Sequence, residues 1–171
     1  MELVIHLDEN GMLPDRFGKY CAPEEREGGH MSRRSFPFVL NCVPYGTRAI
    51  AWVFLDWDSV PVCGFPWIHW CGYLADIDDV GEVMLMEDAS RLGYGGMYEG
   101  HNSERLSDGS FGSGYVGPCP PDKDHTYTLH VVALDMVPDL PRDRPFWVNE
   151  LVGACRGHVL GEAVAQLPSR A

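Results

Sequence analysis

Three polar residues of this chain lie at the ends of apolar runs or within them. Asp56 follows one run, His69 lies inside a second, and His125 directly precedes a third. The side-chain period of a β-strand is two, so Asp56 shares a side with Asp58, and His125 shares a side with Tyr127. If the three runs are neighbouring strands, their ends could present carboxylate and imidazole groups to one cavity.

Each of these residues also has a purely structural interpretation. An aspartate at a strand end often bonds its own backbone in a turn, and a histidine within an apolar run is often a core residue with satisfied partners. The two interpretations differ in whether the side chains of Asp56, His69 and His125 converge.

A convergent group would allow three chemistries. Two histidines and a carboxylate match one type of metal site, although their wide spacing in the chain lacks the close His and Asp pairs that make such a signal strong. A hydrolase needs a nucleophile, and without a Gly-x-Ser-x-Gly elbow the thiol of Cys119 is the only tempting one. The third chemistry is anion binding, in which histidines and backbone N–H groups donate to oxyanions while Asp56 orients an imidazole.

Residues 115–121 (YVGPCPP) form the most unusual segment. Its three prolines fix φ and cannot donate to a β-ladder, which predicts a rigid, extended wall. It belongs to a longer stretch, residues 90–121, that is rich in glycine and serine and predicts no long regular element. Long loops inside a compact domain are often functional.

The apolar runs themselves predict strands in the middle of a sheet. Each is too short for a typical helix, rich in β-formers and flanked by polar or turn residues. The three runs are residues 49–55, 67–74 and 126–134.

Other segments predict the remaining elements. Residues 1–13 predict an opening strand, and residues 35–41 a strand that forms a hairpin with the next one across the Pro/Gly turn at residues 43–47. Residues 145–160 have apolar positions at helical spacing, which predicts one late helix.

Composition and charge limit the possible functions. A length of 171 residues suits one domain, and 19 glycines and 13 prolines favour many short strands joined by turns. A net charge of −12 repels phosphate backbones at long range, so no nucleic-acid partner is expected. Residues 60–75 are too short and too interrupted to cross a bilayer, and the N-terminus lacks an apolar signal region, so a cytoplasmic protein that is not embedded in a membrane is expected.

Two ordered motifs resemble the phosphatidylethanolamine-binding protein (Raf kinase inhibitor-like) family, in particular its bacterial branch. The family's Asp-Pro-Asp-Ala-Pro and Trp-x-His-Trp elements are similar to residues 56–61 (DWDSVP) and 67–70 (WIHW). Its Gly-Pro-Cys-Pro-Pro and His-x-Tyr elements are similar to residues 117–121 (GPCPP) and 125–127 (HTY). The resemblance extends from about residue 35 to the end of the chain, and two motifs in this order are more specific than either alone.

This resemblance implies a mainly β fold, an antiparallel β-sandwich of two sheets with a few short peripheral helices in one domain over residues 1–171. It also implies a small pocket for phosphate, a carboxylate or a phosphorylated headgroup. Carried over position by position, the ligand-binding residues are Asp56, Pro61, Trp67, His69, Cys119, Pro120, His125 and Tyr127.

We therefore expect a binding protein for a small anion, with a regulated protein target and a homodimer as further expectations from the family. No cofactor, metal ion or catalytic residue is assigned. The alternative is a hydrolase or metal-dependent enzyme that uses Asp56, His69 and His125. One departure from the family bears on the ligand: Thr126 stands where an arginine is common, which removes a cation near the pocket.

Overall fold

Antiparallel β-sheet makes up most of the regular structure of this protein. The computed structural model describes residues 1–26, 31–78 and 81–171. Within these ranges the strands are β1 (Glu2–Val4), β2 (Phe38–Asn41), β3 (Ala49–Asp56), β4 (Trp67–Ala75), β5 (Glu82–Leu85), β6 (Met97–Glu99), β7 (His101–Arg105), β8 (Phe111–Ser113), β9 (His125–Leu134) and β10 (Val159–Ser169). The helices are α1 (Val60–Cys63), α2 (Ala89–Leu92) and α3 (Val148–Cys155), and short 3-10 turns lie at Asp15–Phe17 and Pro23–Glu25.

The strands form three sheets. The largest has the order β10-β9-β3-β4-β6, a second has the order β1-β2-β5, and β7 pairs with β8. Every strand pair is antiparallel. The predicted fold class, mainly β with antiparallel sheets and few short helices, is confirmed.

The three apolar runs form the middle of the large sheet as β3, β4 and β9. β3 has a neighbour on each side and is buried along most of its length, as expected for a strand covered on both faces. β9 alternates as predicted, with Tyr127, Leu129 and Val131 buried and Thr126 and His130 exposed.

Two core clusters cover the faces of the large sheet. One joins its aromatic face, which includes Trp52, Phe54 and Trp70, to Phe38 and Leu40 of the three-stranded sheet. The other packs the opposite face against α3 and the segment before it. The large sheet is therefore held between two apolar layers, and its strand ends meet at one edge.

The predicted hairpin across residues 43–47 is wrong. β2 pairs with β1 and β5, whereas β3 lies in the large sheet between β4 and β9. The turn exists, since the Thr47 N–H donates to the Pro44 carbonyl at 3.3 Å, but it connects two sheets. Cys42, at φ 54°, starts the change of direction immediately after β2.

The predicted terminal elements are shorter than expected. The opening strand is limited to β1, and the Asn10-Gly11 step after it forms a turn in which the Gly11 N–H donates to Asp8 at 3.0 Å. The late helix ends at Cys155, and the apolar residues after Gly157 belong to β10 instead. No helix of the described ranges is long and apolar enough to span a membrane.

Candidate functional site

The register of the large sheet brings three strand ends together. β3 ends at Asp56, and because both of its neighbours run antiparallel to it, β4 and β9 begin at the same edge. Asp56 is paired with Trp67 of β4 on one side and with Tyr127 of β9 on the other. The convergence that the sequence suggested therefore follows from strand order and direction.

A pocket of about 250 Å³ opens at this edge. Six of the eight predicted ligand-binding residues line it: Asp56, Trp67, His69, Cys119, His125 and Tyr127. Pro61 and Pro120 are not among the lining residues, and their neighbours Val62 and Pro121 are. The Pro120 carbonyl instead accepts a hydrogen bond from Lys19 Nζ at 2.8 Å.

His125 lies between two carboxylates. Its Nδ1 is 2.7 Å from Asp56 Oδ2, and its Nε2 is 2.9 Å from Asp122 Oδ1. An imidazolium, which donates from both nitrogens, satisfies this arrangement. Burial opposes the charge, but the hydrogen bonds to Asp56 and Asp122 outweigh it and raise the pKa of His125. In turn, the hydrogen bond from His125 lowers the pKa of Asp122.

The carboxylate of Asp56 is fixed by the turn that follows β3. The Ser59 N–H donates to Asp56 Oδ1 at 3.1 Å. The Ser59 hydroxyl lies 2.7 Å from the Asp56 carbonyl and accepts from the Trp67 N–H at 3.0 Å. Asp56 and Ser59 are both buried. This turn therefore orients the Asp56 carboxylate towards His125 within the protein itself.

His69 has the opposite environment. Its Nδ1 lies 2.9 Å from the Val116 carbonyl, and since a carbonyl can only accept, Nδ1 carries the proton. Burial lowers the pKa of His69 to about 4, so the ring is neutral at pH 7 and Nε2 holds a lone pair. The ring packs 4.5 Å from that of Trp67 and 4.9 Å from that of Tyr127, measured between centroids.

A β-bulge places His69 in the pocket. Phe54 of β3 is paired with Trp70, but Leu55 is paired with Ile68, so His69 has no partner on β3. The extra residue lets His69 and Trp70 both contact the aromatic side of the sheet, as their ring contacts with Phe54 and Phe36 show. The His69 carbonyl, turned away from β3, accepts from the Val116 N–H at 2.9 Å.

The wall predicted from the proline-rich segment is anchored along its length. The Gly117 N–H donates to Ser32 at 2.8 Å, and the Pro118 carbonyl accepts from the Lys19 N–H at 2.9 Å. Gly117 is required by packing, because a Cβ there would lie 2.3 Å from the Phe17 carbonyl oxygen. The wall thus presents Cys119 and Pro121 to the pocket from a fixed position.

Tyr127 completes the floor of the pocket. It is buried, and burial together with the nearby Asp56 carboxylate raises the pKa of its hydroxyl, which therefore remains protonated. Asp58, although two residues from Asp56, does not line the pocket and accepts from the Thr126 N–H at 2.9 Å. In this way Asp58 fixes the start of β9 rather than the ligand site.

Sequence reasoning missed several residues of the site. Asp122 contacts His125, and Ser59 contacts Asp56. Four further residues that were not predicted line the pocket: Met31, Val62, Cys63 and Pro121. The Asp122 contact has an i, i+3 spacing to His125, which is a detectable signal once His125 is a candidate. Among residues 1–26, 31–78 and 81–171, no three His, Cys, Asp or Glu side chains are grouped so as to share a metal ion.

Comparison with known proteins identifies the family. The chain matches the family described as phosphatidylethanolamine-binding protein over residues 5–168. It belongs to the phosphatidylethanolamine-binding protein family. The expected membership is confirmed, and the family fold is one that binds ligands.

Relatives and solved structures extend this result. The uncharacterized protein YxkA of Bacillus subtilis is 38% identical over 173 residues, which cover 97% of this chain and 98% of YxkA. A UPF0098 protein of the archaeon Methanothermobacter thermautotrophicus is 35% identical over 123 residues, 64% of this chain and 76% of the relative.

Two crystal structures of phosphatidylethanolamine-binding protein family members share the fold. The Chlamydia trachomatis homologue CT736 matches with a TM-score of 0.72 at 24% identity, over 99% of this chain and 97% of that one. Escherichia coli YbcL, described as a new member of the mammalian family, matches with a TM-score of 0.74 at 21% identity, over 99% and 98%. At these identities the likeness concerns the fold alone.

Both motifs of the phosphatidylethanolamine-binding protein family contribute to the pocket. Residues 56–61 and 67–70 supply Asp56, Trp67 and His69, whereas residues 117–121 and 125–127 supply the wall and His125. Thr126, which replaces the family's common arginine, is exposed on the other side of β9 from His125. Among the described residues that line this pocket there is no lysine or arginine, and His125 is the lining histidine whose pKa is raised.

Proposed function

We propose that this protein binds a small ligand through an oxyanion, such as a phosphate ester or a carboxylate, in the pocket beside His125. The observation that carries the proposal is the position of the buried His125 ring between two carboxylates, with Nδ1 at 2.7 Å from Asp56 Oδ2, which raises the pKa of the ring. A charged donor in a pocket of about 250 Å³ is suited to a single phosphate or carboxylate group.

The rest of the lining supports an organic ligand rather than a free ion. Val62, Trp67, Pro121 and Tyr127 offer apolar and aromatic surface next to the imidazolium. Apolar walls with a few polar groups are typical of small-molecule sites. The ligand would place its oxyanion near His125 and its carbon-containing part against Trp67.

His69 adds a second requirement on the ligand. Its Nε2 lone pair repels an oxyanion unless the ring gains a proton or the ligand brings a donor of its own, such as a hydroxyl or an ammonium group. A ligand with both an oxyanion and a donor complements the two histidines together.

The hydrolase alternative has less support from the geometry. A catalytic histidine activates a hydroxyl or thiol by hydrogen bonding to it, but the contacts of His69 and His125 described above go to Val116, Asp56 and Asp122 and not to the thiol of Cys119. The Ser59 hydroxyl lies within hydrogen-bonding distance of the Asp56 and Phe65 carbonyls and therefore holds the turn. Binding without a reaction is the simpler function for this arrangement.

The test is a titration of the whole protein with dimethyl phosphate and with acetate, followed by calorimetry and by NMR of the Trp67 indole and the two pocket imidazoles. We expect saturable binding with shifts at these groups. His125→Gln removes a charge-assisted hydrogen bond, which contributes about 1.5–3 kcal/mol, and should therefore weaken binding at least tenfold. His130→Gln, an exposed histidine on the same strand, is the matched control and should bind normally.

Two results would overturn the proposal. One is the absence of any shift at the pocket with either anion, while the protein remains folded by its NMR spectrum. The other is an equal loss of affinity in His125→Gln and His130→Gln, which would indicate general electrostatic attraction and no specific site.

A further inference from the structure

The two carboxylates that contact His125 differ in how exposed they are and in how firmly they are held. The side chain of Asp56 is 5% exposed and that of Asp122 is 53% exposed, although each lies within 3 Å of a ring nitrogen. The Ser59 N–H holds Asp56 from behind. Hence Asp56 is a permanent partner of the imidazolium, whereas water competes for the carboxylate of Asp122.

Asp122 occupies the hydrogen-bond position of His125 that Asp56 leaves. The ring of His125 has no exposed surface, and its Nε2, the nitrogen not taken by Asp56, lies 2.9 Å from Asp122 Oδ1. A carboxylate oxygen is therefore already accommodated at hydrogen-bonding distance from this nitrogen. An incoming carboxylate or phosphate oxygen would make the same contact.

The loop around Asp122 is fixed on both sides of it. Lys19 Nζ holds the Pro120 carbonyl at 2.8 Å, and the Ala171 N–H donates to Asp124 Oδ1 at 2.8 Å. Asp122 lies between these two attachments, in residues 121–124 that form no helix or strand. Rotation of its side chain alone, with the loop backbone retained, would release the Nε2–H.

Taken with the proposed function, on which the inference depends, these contacts identify a competitor within the chain. We infer that Asp122 is an internal occupant of the anion position and that an oxyanion ligand binds by displacing its carboxylate from His125. The apparent ligand affinity is then the affinity of the open site multiplied by the fraction of molecules in which Asp122 does not contact His125.

The exchange also selects the charge of the ligand. Asp56, the His125 imidazolium and Asp122 carry a net charge of −1 together. Replacing Asp122 with a monoanion leaves this local charge unchanged, but a dianion makes it more negative in a protein of net charge −12. The site should therefore prefer a carboxylate or a phosphodiester to a dianionic phosphate monoester.

The experiment compares dimethyl phosphate and acetate binding in wild type, Asp122→Ala, Asp122→Asn and Asp124→Asn, by calorimetry and by NMR of the His125 ring. Asp124→Asn is the matched control, because it removes the same charge from the same loop and keeps the Oδ1 that accepts from the Ala171 N–H. We expect Asp122→Ala to tighten both dissociation constants by about tenfold or more, and Asp124→Asn to change them less than about twofold. Monomethyl phosphate, tested as the dianion, should bind wild type more weakly than dimethyl phosphate.

The outcomes separate this inference from the proposed function. If wild type and Asp122→Ala bind the anions equally, or if Asp124→Asn tightens binding as much as Asp122→Ala, Asp122 is not a competitor, although the pocket remains an anion site. If neither wild type nor Asp122→Ala binds any anion, the proposed function itself fails. Asp122→Asn keeps the size of the side chain and an acceptor oxygen but loses the charge, so it should tighten binding by a smaller factor and serves as the comparison if Asp122→Ala disturbs the loop.

Discussion

The two sides of the pocket place the same residue type in opposite electrostatic environments. On the β9 side, both ring nitrogens of His125 face carboxylates, whose hydrogen bonds raise the pKa of the ring against the effect of burial. On the β4 side, His69 packs among aromatic rings, donates a hydrogen bond to a main-chain carbonyl and is neutral. The sheet brings the two rings into one pocket, but their surroundings, not their residue type, decide their charge.

This difference changes the interpretation of the sequence. The sequence alone suggested two equivalent imidazole donors for an anion. The structure places His125 between two carboxylates, which raise its pKa, and buries His69 as a neutral ring that donates to a main-chain carbonyl. The two histidines should therefore differ in how much the fold depends on them and in the sign of their response to pH.

The largest expected effect is on the charged side. His125→Ala would leave the buried carboxylate of Asp56 without its cation, which should destabilise the protein by about 3–5 kcal/mol. The matched control is His130→Ala on the same strand, whose Nε2 contacts Glu162 at 3.0 Å but whose side chain is 45% exposed, and which should cost about 1 kcal/mol or less. Urea unfolding measures both, and equal losses would contradict the comparison.

The neutral side should govern stability in acid. The pKa of His69 is about 4 in the folded state against 6.5 in the unfolded chain, so between these values the unfolded chain binds more protons. The contribution of His69 to the free energy of unfolding is then fully present above pH 6.5 and falls by about 3 kcal/mol as the pH drops to about 4. His69→Asn keeps a donor for Val116 without titrating, so the free energy of unfolding of wild type minus that of the variant should show this fall.

The raised pKa of His125 gives the opposite sign. Its contribution to stability is present below pH 6.5 and is lost as the pH rises through the folded pKa. NMR titration of the two rings provides the check. A His69 ring that protonates near its usual value, or a His125 ring that is neutral at pH 7, would remove the distinction between the two sides.

The smallest effect concerns the wall that holds His69. Gly117→Ala forces a Cβ against the Phe17 carbonyl at 2.3 Å, which should cost about 1–3 kcal/mol and shift the resonances of His69 more than those of His125. Gly153→Ala in α3 meets nothing within 4 Å and should stabilise the protein by up to about 1 kcal/mol. Thermal unfolding of the two variants should therefore move in opposite directions. Equal shifts at both histidines would show that the wall does not act on one side alone.

The sequence predicted the parts of the fold that depend on local pattern. Apolar runs of seven to nine residues identified β3, β4 and β9, because buried strands have a composition of their own. The same runs located Asp56, His69 and His125 at strand ends, which is why the residues of the pocket could be proposed at all.

Features that depend on contacts between distant segments could not be predicted from the sequence. The turn at residues 43–47 could be read from its proline and glycine, but nothing local says that β2 and β3 join different sheets. The pKa of His125 is raised by hydrogen bonds to Asp56, which is distant in the chain, and to Asp122, whereas the pKa of His69 is lowered by burial. Since burial and the Asp56 contact both come from distant segments, the sequence could not distinguish the two rings.

The bulge in β4 has one more consequence. Strand alternation normally forces a change at a core-facing position to disturb the packing of two sheets at once, but His69 is an additional residue opposite β3, with Trp70 filling the regular core position. A substitution at residue 69 should therefore change the lining of the pocket and the contact with Phe54 without changing the register in which β3 pairs with β4.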